Sequence, residues 1–350
     1  MRGGGTMARR GAGRALTSGR TRRAALLGIV FGASLLAVTA CAGGGRPVDL
    51  AGDVTSVARP SPVGVEENPE TSTTSTTPAP PCDPRASYRP DGPLPPAGQM
   101  RDGTTMKAIQ DRGQLIAGVD QNTFLFGFRN PTTGALEGFD IDRVREIAAA
   151  ILGDPNKVQF KVVTSAGRLD ALEKGQVDVV VRTFTANCAR WQKINFSATY
   201  YIAGQRLLVD RTSNVTSLDQ LGGKKVCAAK GSTSITTIKE SPAKLVPVQV
   251  DNWTDCLIML QQGQVSGVST DDTILAGMVA QDPNVKIVGD RFTEEPYGIG
   301  IPKKNVDMAR FVNAVLEKSI SDGSWLASYN RWLGNSMGGQ VSPPAPAYLD

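Results

Sequence analysis

Residues 163–196 read VTSAGRLDALEKGQVDVVVRTFTANCARWQKINF, and this stretch decides the fold. Apolar residues at helical spacing after Ser165 predict an amphipathic helix that ends at Gly175. The apolar run at 178–181 then predicts a buried strand, which leads into the polar turn at 183–187 and a second helix. Alternating helices and strands build open α/β sheets, which bind ligands beyond the carboxyl ends of their strands.

Two arginines in this stretch, Arg168 and Arg190, open helices where no apolar pattern requires them. Each has hydroxyl side chains nearby: Ser165 precedes Arg168, and Thr183 and Thr185 precede Arg190. A guanidinium can hold a carboxylate with two parallel hydrogen bonds. A single arginine at a helix start is most often only solvated, but two at successive strand-to-helix turns predict a ligand with two separate negative groups.

The composition excludes several kinds of site. The chain has 350 residues and no histidine, so catalytic triads and dyads with histidine and histidine metal sites are excluded. Seven of the 38 basic residues are arginines within residues 1–40, so the rest of the chain sets 31 basic residues against 33 acidic ones. That near-neutral balance gives a nucleic-acid partner no electrostatic support.

The N-terminus predicts export. Arginines up to Arg23 precede an uncharged apolar run at 24–40, too short for a typical membrane span, which is the pattern of a signal peptide. The run ends in Val-Thr-Ala before Cys41, as in bacterial lipoproteins. We expect Cys41 to carry lipid (palmitate) on the outer membrane face. Ordinary secretory cleavage beside an incidental cysteine is the alternative.

Residues 41–103 are predicted to form a disordered tether. From residue 42 onwards they hold twelve of the 22 prolines, and residues 71–77 are all serine or threonine. Such a segment buries too little apolar surface to fold.

The central stretch resembles family 3 of the bacterial extracellular solute-binding proteins, the amino-acid-binding proteins of ABC importers. That family has a Ser/Thr-x-Ser/Thr turn, an arginine five residues later and an apolar-Ser-x-x-Tyr strand, which match 183–185, Arg190 and 196–200 here. The resemblance implies that Arg190 binds the α-carboxylate of an amino acid. In glutamate- and aspartate-binding members a Ser-x-x-Arg holds the side-chain carboxylate, and Ser165 and Arg168 stand at that spacing.

The resemblance covers residues 104–334 in order and includes Gly-Phe-Asp-Ile-Asp at 138–142, after which Arg143 departs from the family pattern. It implies an α/β, two-lobed periplasmic-binding-protein-like (type II) fold with two hinge crossovers. Lobe I would comprise 104–204 and 297–334, and lobe II would comprise 205–296. Residues 335–350 would form a loose tail.

Further pocket residues follow from the resemblance. In lobe II, Ser232 and Thr233 follow a glycine at a helix start, an anion-binding turn that would hold the α-carboxylate. Asp271 would bind the α-ammonium group, with a capping aspartate as the alternative. Asp120 would orient Arg168 or accept from a ligand amide. The other implied pocket residues are Phe126, with a core residue as the alternative, Lys230 and Trp253.

The implied function is capture of a free amino acid between the lobes for an ABC-transporter permease, by a monomer without cofactor, metal or catalytic residue. A buried arginine with no anion is costly, which favours glutamate or aspartate over neutral side chains. Asparagine and glutamine stay open as ligands because Asp120 could partly neutralise Arg168 and accept from an amide. The alternatives are a sensor that presents its liganded state to a membrane signalling partner and, less favoured, a fold-related dehydratase. Glu137, Glu173 and Glu240 are the spare acids for a dehydratase, and none lies in a pocket turn.

Four cysteines remain beyond Cys41. An even number in an exported protein favours disulfides, although four cysteines allow three pairings. Under the lobe division that the resemblance implies, Cys227 pairs with Cys256 within lobe II. Cys82 is then left to pair with Cys188 beside the site.

Overall fold

The computed structural model of the protein describes residues 59–69, 80–338 and 342–349. The predicted signal peptide 1–40 and the predicted lipidation site Cys41 lie outside the described residues. Within the described residues, no helix has both the length and the apolar character needed to cross a membrane.

The strands are numbered in chain order and are mostly short. They are β1 Glu66–Glu67, β2 Ala86–Ser87, β3 Leu115–Val119, β4 Asn122–Thr123, β5 Gly127–Arg129, β6 Leu136–Glu137, β7 Val158–Val162, β8 Val179–Val180, β9 Ile194–Phe196, β10 Tyr201–Ala203, β11 Gln205–Asp210, β12 Lys225–Ala229, β13 Val246–Val250, β14 Gly267–Asp271, β15 Val285–Val288, β16 Glu295–Tyr297, β17 Gly300–Pro302 and β18 Ala347–Tyr348.

The helices are numbered in the same way, and a 3-10 turn at Leu218–Leu221 stands apart from them. They are α1 Thr105–Arg112, α2 Phe139–Leu152, α3 Arg168–Glu173, α4 Cys188–Lys193, α5 Thr233–Glu240, α6 Trp253–Gln261, α7 Asp272–Gln281, α8 Val306–Ser321, α9 Ser324–Trp332 and α10 Gly334–Met337.

Two sheets divide the molecule into two lobes. The lobe I sheet has the order β7-β3-β8-β17-β9, and the lobe II sheet has the order β1-β13-β12-β14-β11-β15. The central strands of both sheets are buried on both faces because helices cover them, as the valine run at 179–181 predicts. The described residues form two apolar cores in lobe I and one in lobe II.

The two chain crossovers between the lobes run side by side. Strand β10 pairs antiparallel with β16, with Tyr201 opposite Tyr297. The chain enters the lobe II sheet directly after β10, at β11, and returns to the lobe I sheet directly after β16, at β17. This paired ribbon is the place where a two-lobed α/β protein bends.

The structure differs from the predicted tether and tail. Strand β1 extends the lobe II sheet at its edge beside β13, and β18 pairs with β2 on lobe I. Ser87 is fully buried and donates to the Phe196 carbonyl at 2.7 Å. The prediction was wrong for these described segments because it weighed only side-chain burial. A sheet edge offers unpaired backbone groups, which even a proline-rich segment can satisfy.

Both expected disulfides are present. Cys82 pairs with Cys188 across 106 residues of chain, and Cys227 pairs with Cys256 across 29 residues. The first joins the segment before β2 to the start of α4 in lobe I. The second is buried in the lobe II core, where it joins β12 to α6.

Candidate ligand-binding cleft

A small cavity lies between the lobes and brings together eight of the twelve predicted ligand residues. Its volume is about 10 Å³, which is room for about one water. Its lining comes from both lobes: Ser165, Arg168, Thr183 and Thr185 from lobe I, and Ser232, Thr233, Ser234, Trp253, Asp271 and Ile274 from lobe II.

A larger groove of about 850 Å³ continues from this cavity to the surface. It shares Ser165, Ser232 and Thr233 with the cavity, and it holds two more of the predicted residues, Arg190 and Lys230. The two remaining predicted residues, Asp120 and Phe126, line neither space.

Arg168 lies at the start of α3, and its guanidinium is buried against the ring of Phe184, 4.2 Å from the ring centroid. It donates to the Ser165 carbonyl at 2.9 Å and, across the cleft, to the Gly231 carbonyl at 3.3 Å. Burial lowers the pKa of Arg168 well below its usual range, and Arg190 adds to this. An anion at this position would therefore relieve an unfavourable buried charge.

Arg190 lies in the first turn of α4, which the Asn187 side chain caps by accepting from the Arg190 amide at 2.9 Å. Its guanidinium donates to the Thr185 carbonyl at 2.6 Å and to the Gly231 carbonyl at 3.1 Å. Burial lowers the pKa of Arg190 to about 10, against the opposing effect of Glu295 and Asp271. Arg168 and Arg190 thus converge on one carbonyl of lobe II.

Sequence reasoning missed a third buried arginine, Arg182, which directly follows β8 and its valine run. Its guanidinium lies 2.8 Å from the Asp120 carboxylate, with side-chain exposures of 1% and 5%, and it donates to the Ser165 hydroxyl. The expected role of Asp120 beside Arg168 is therefore wrong. Asp120 also accepts from the amides of Gln121 and Asn122 at 2.7 and 3.1 Å. The sequence signal for Arg182 was its position, because a charged residue directly after a buried strand lies at the ligand-binding end of the sheet.

The turn after β8 is held from behind by a buried acid. Asp140 accepts from the Thr183 amide at 2.8 Å and from the Tyr200 hydroxyl at 2.7 Å. Thr183 has a φ of 39°, in the left-handed region that is strained for a β-branched residue. Burial raises the pKa of Asp140 to about 7. Asp140 thus fixes a turn whose threonine lines the cavity.

Phe126 is a core residue and not part of the cavity wall. It is fully buried, and its ring makes edge-to-face contacts with Phe139, Tyr201 and Tyr297. The expected stacking of Phe126 on a ligand is therefore wrong. A loop sequence with several aromatic residues does not reveal which ring turns inward, since tertiary packing decides it.

The lobe II wall presents one carboxylate. Asp271 is buried, and the Tyr297 hydroxyl donates to its Oδ2 at 2.6 Å. Its Oδ1 is also buried but accepts no hydrogen bond from the described residues, and the Trp253 indole N–H likewise has no acceptor among them. Burial raises the pKa of Asp271 well above its usual range, and Glu295 adds to this. Buried polar atoms normally have partners, so this wall is suited to a polar ligand.

The hydroxyls at the start of α5 already have partners. The Ser232 hydroxyl caps the helix by accepting from the Ile235 amide at 3.1 Å, and it donates to the Ala229 carbonyl at 2.7 Å. The Thr233 hydroxyl donates to Glu295 on β16 at 2.8 Å. Glu295 was missed by sequence reasoning. The helix start itself remains directed at the groove, where backbone amides favour an anion.

The lobes are in direct contact around the cavity. A Cβ added to Gly231 of lobe II would lie 2.6 Å from the Ala166 Cα of lobe I. On the same interface Asn122 donates to the Asn252 side chain at 3.2 Å. The conformation is therefore closed, and only a glycine at position 231 permits this approach.

The sequence is similar to those of known proteins. Residues 115–335 match the model of bacterial extracellular solute-binding proteins, family 3. The ABC transporter glutamine-binding protein GlnH of Bacillus subtilis is 41% identical over 230 residues, which cover 65% of this chain and 84% of that protein. The glutamate-binding protein GluB of Corynebacterium efficiens is 29% identical over 255 residues, which cover 69% of this chain and 84% of that protein.

A solved structure agrees with the architecture. An ancestral arginine-binding protein bound to glutamine superposes with a TM-score of 0.60 at 37% identity, covering 64% of this chain and 99% of that one. The predicted two-lobed α/β fold is confirmed, as are a binding role instead of an enzymatic one and a place outside the cytoplasm. The chain belongs to family 3 of the bacterial extracellular solute-binding proteins.

Proposed function

We propose that this protein captures a free amino acid, an acidic one or its amide, between the lobes and delivers it to an ABC transporter. One observation carries the proposal: cations of lobe I and a carboxylate of lobe II together line the cavity and the groove that continues from it. Arg168 and Asp271 line that cavity together, and Asp271 Oδ1 has no partner among the described residues. Positive and negative groups so placed suit a zwitterion.

The residue roles follow the charges. Arg190 and the α5 start at Ser232 and Thr233 line the groove and Thr185 lines the adjoining cavity, so we assign the α-carboxylate to these donors. Asp271 accepts from the α-ammonium group through its free oxygen. Arg168 and Ser165 then meet the distal group of the side chain at the inner end.

The names of the relatives support the ligand class. GlnH of Bacillus subtilis is a glutamine-binding protein, GluB is a glutamate-binding protein, and the ancestral structure holds glutamine. An amide and a carboxylate share the carbonyl-type oxygen that a guanidinium donates to. The inner arginine is thus compatible with both.

The mature protein acts outside the cytoplasm as a monomer, held to the membrane through Cys41. Family membership supports export, and the sequence before Cys41 supports the lipid anchor. Labelling with a radioactive fatty acid and loss of the label in Cys41→Ala tests the anchor.

A thermal-shift screen of the chain from residue 42 onwards against the twenty amino acids tests the ligand class. A ligand that binds only the folded state raises its stability by about 2.7 kcal/mol at one hundred times Kd. We expect a rise in Tm confined to glutamate, aspartate, glutamine and asparagine. A response confined to basic or apolar amino acids would contradict the proposal.

A further inference from the structure

Strand β1 contributes a charged residue to the cleft from outside the family-matched region, 115–335. It lies on the edge of the lobe II sheet, with Glu66 opposite Gln249 and Glu67 opposite Val248 of β13. Successive side chains of a strand point to opposite faces of the sheet. Glu66 and Glu67 are therefore neighbours in sequence that face different surroundings.

Glu66 faces the groove. Its carboxylate forms an ion pair with Lys230 and accepts from the Gln249 side chain at 2.6 Å, and all three residues line the groove together with Arg190. The hydrogen bond from Lys230, followed by that from Gln249, lowers the pKa of Glu66. It is therefore ionised at neutral pH.

Glu67 makes an equivalent pair that does not face the groove. Its carboxylate lies 2.5 Å from Lys225, and neither residue lines the groove. The side-chain exposures match closely, 43% and 46% for Lys225 and Glu67 against 43% and 44% for Lys230 and Glu66. The two pairs thus differ mainly in their position relative to the cleft.

Lys230 is the residue before Gly231, whose carbonyl receives both Arg168 and Arg190. Without Glu66, its ammonium group would add a positive charge at the groove and attract ligands of net negative charge. With Glu66, that charge is balanced. Glutamate and aspartate carry one negative charge more than their amides. Neutralising the charge of Lys230 therefore lowers the affinity for the two acids and leaves that for the amides unchanged.

We propose that Glu66 is a specificity-determining residue, which balances Lys230 at the entrance of the cleft and so shifts the preference of the site from acidic amino acids towards their amides. The inference rests on the proposed function, because it concerns selectivity within the amino-acid class named there.

The test compares the full-length protein with Glu66→Gln by isothermal titration calorimetry with glutamate and glutamine at low ionic strength. Partly exposed ion pairs have modest effects. We expect glutamate to bind about two- to fivefold more tightly to Glu66→Gln, with glutamine affinity unchanged. At 1 M salt, where charges are screened beyond about 3 Å, the difference should disappear.

Three further variants separate selectivity from a general structural effect. Glu67→Gln, the matched control, should leave both affinities unchanged. Lys230→Gln leaves Glu66 unbalanced and should lower the ratio of glutamate to glutamine affinity, whereas the double variant should return to the wild-type ratio. An unchanged ratio of glutamate to glutamine affinity in Glu66→Gln overturns the inference. A wild-type protein that binds neither amino acid overturns the proposed function instead.

Discussion

In lobe I the cleft wall is built from arginines that follow strands and open helices, whereas in lobe II it is built from one aspartate and a helix start. Arg168, Arg182 and Arg190 are all buried on the lobe I side, and among the described residues only Arg182 has a carboxylate within ion-pair distance, from Asp120. On the lobe II side Asp271 keeps an oxygen without a partner among the described residues. Burying an ionised side chain without an opposite charge is energetically unfavourable, and each lobe by itself contains such side chains.

The contrast explains why a ligand with both charges suits the closed state. Arg168 and Arg190 donate to backbone carbonyls of both lobes, so neutral acceptors already satisfy part of their hydrogen-bonding capacity. A zwitterion would supply the opposite charge that each wall lacks. Substitutions in either wall, and at the contact between the lobes, test this complementarity.

Removing one of the two cleft arginines of lobe I should have the largest effect on ligand affinity. Arg190→Ala is expected to weaken binding of glutamate and glutamine alike by at least about 30-fold, because loss of one partner of a buried charge pair costs about 2–5 kcal/mol. Arg168→Ala should mainly weaken the acidic amino acids. Calorimetric titration measures both. Arg145→Ala is the control, because Arg145 is a partly exposed lobe I arginine that lines neither the cavity nor the groove. Undiminished glutamate affinity in Arg168→Ala would refute the assignment of Arg168.

Removing the negative charge of Asp271 in lobe II should weaken the binding of only those ligands that carry an ammonium group. Asp271→Asn keeps an oxygen that can accept from Tyr297 but loses the charge that holds an ammonium group. We expect a comparable loss for glutamate, at least about 30-fold, and no loss for glutarate, which lacks the ammonium group. Competition titrations with both compounds test this. Equal losses for glutamate and glutarate would contradict the role of Asp271.

Preventing contact between the lobes should have an intermediate effect. In Gly231→Ala the new Cβ would lie 2.6 Å from the Ala166 Cα, so we expect closure to be blocked and affinity to fall about tenfold, the loss for 1.4 kcal/mol. Small-angle scattering with saturating ligand should show a larger radius of gyration than in the wild type.

Gly223→Ala is the matched control for backbone strain. Gly223 has φ +71° against +73° for Gly231, but its added Cβ would meet no atom of the described residues within 4 Å. Both substitutions carry the strain of a left-handed alanine. Wild-type affinity in Gly231→Ala, or an equal loss in both variants, would show that the approach of the lobes is not limiting.

The two disulfides should differ in their response to reductant. Each is expected to contribute about 2–5 kcal/mol to stability, but Cys82 is exposed whereas Cys227 and Cys256 are fully buried. Attack by a thiolate requires access. We expect mild reductant to open Cys82–Cys188 in the native protein and Cys227–Cys256 only on unfolding. Alkylation followed by peptide mass spectrometry measures the order, and simultaneous reduction would contradict it.

A smaller effect is expected on the pH dependence of stability, through Asp140, the buried acid behind the turn after β8. Burial raises the pKa of Asp140 to about 7, against about 3.9 in the unfolded chain. Between these values the native state binds more protons, so the contribution of Asp140 to the free energy of unfolding falls as pH rises.

Asp140→Asn removes this contribution to the pH dependence. Its Tm relative to wild type should therefore rise between pH 4.5 and 7.5, by on the order of a few degrees. Thermal denaturation of both proteins across this range measures the difference. A difference in Tm that is constant with pH would contradict the assignment.

Some residues of the cleft could be predicted from the sequence, and others could not. Arg168, Arg190, Ser232 and Asp271 lie at strand ends and helix starts, and such positions follow from local apolar periodicity and from the rule that open sheets bind ligands there. The structure places all four at the cleft. The partner of Asp120 could not be found in this way, because Arg182 is 62 residues away and only packing of β3 against β8 brings them together.

The alternation of helices and strands in the central stretch and the positions of Arg168, Arg190 and Asp271 follow from the sequence alone, since these depend on neighbours within a few turns of chain. Three features arise from tertiary packing: Phe126 turns into the core, Gly231 closely approaches Ala166, and Glu66 joins the cleft. Those outcomes depend on contacts between distant segments. Backbone pairing at a sheet edge, which places Glu66, leaves no side-chain pattern that a sequence can reveal.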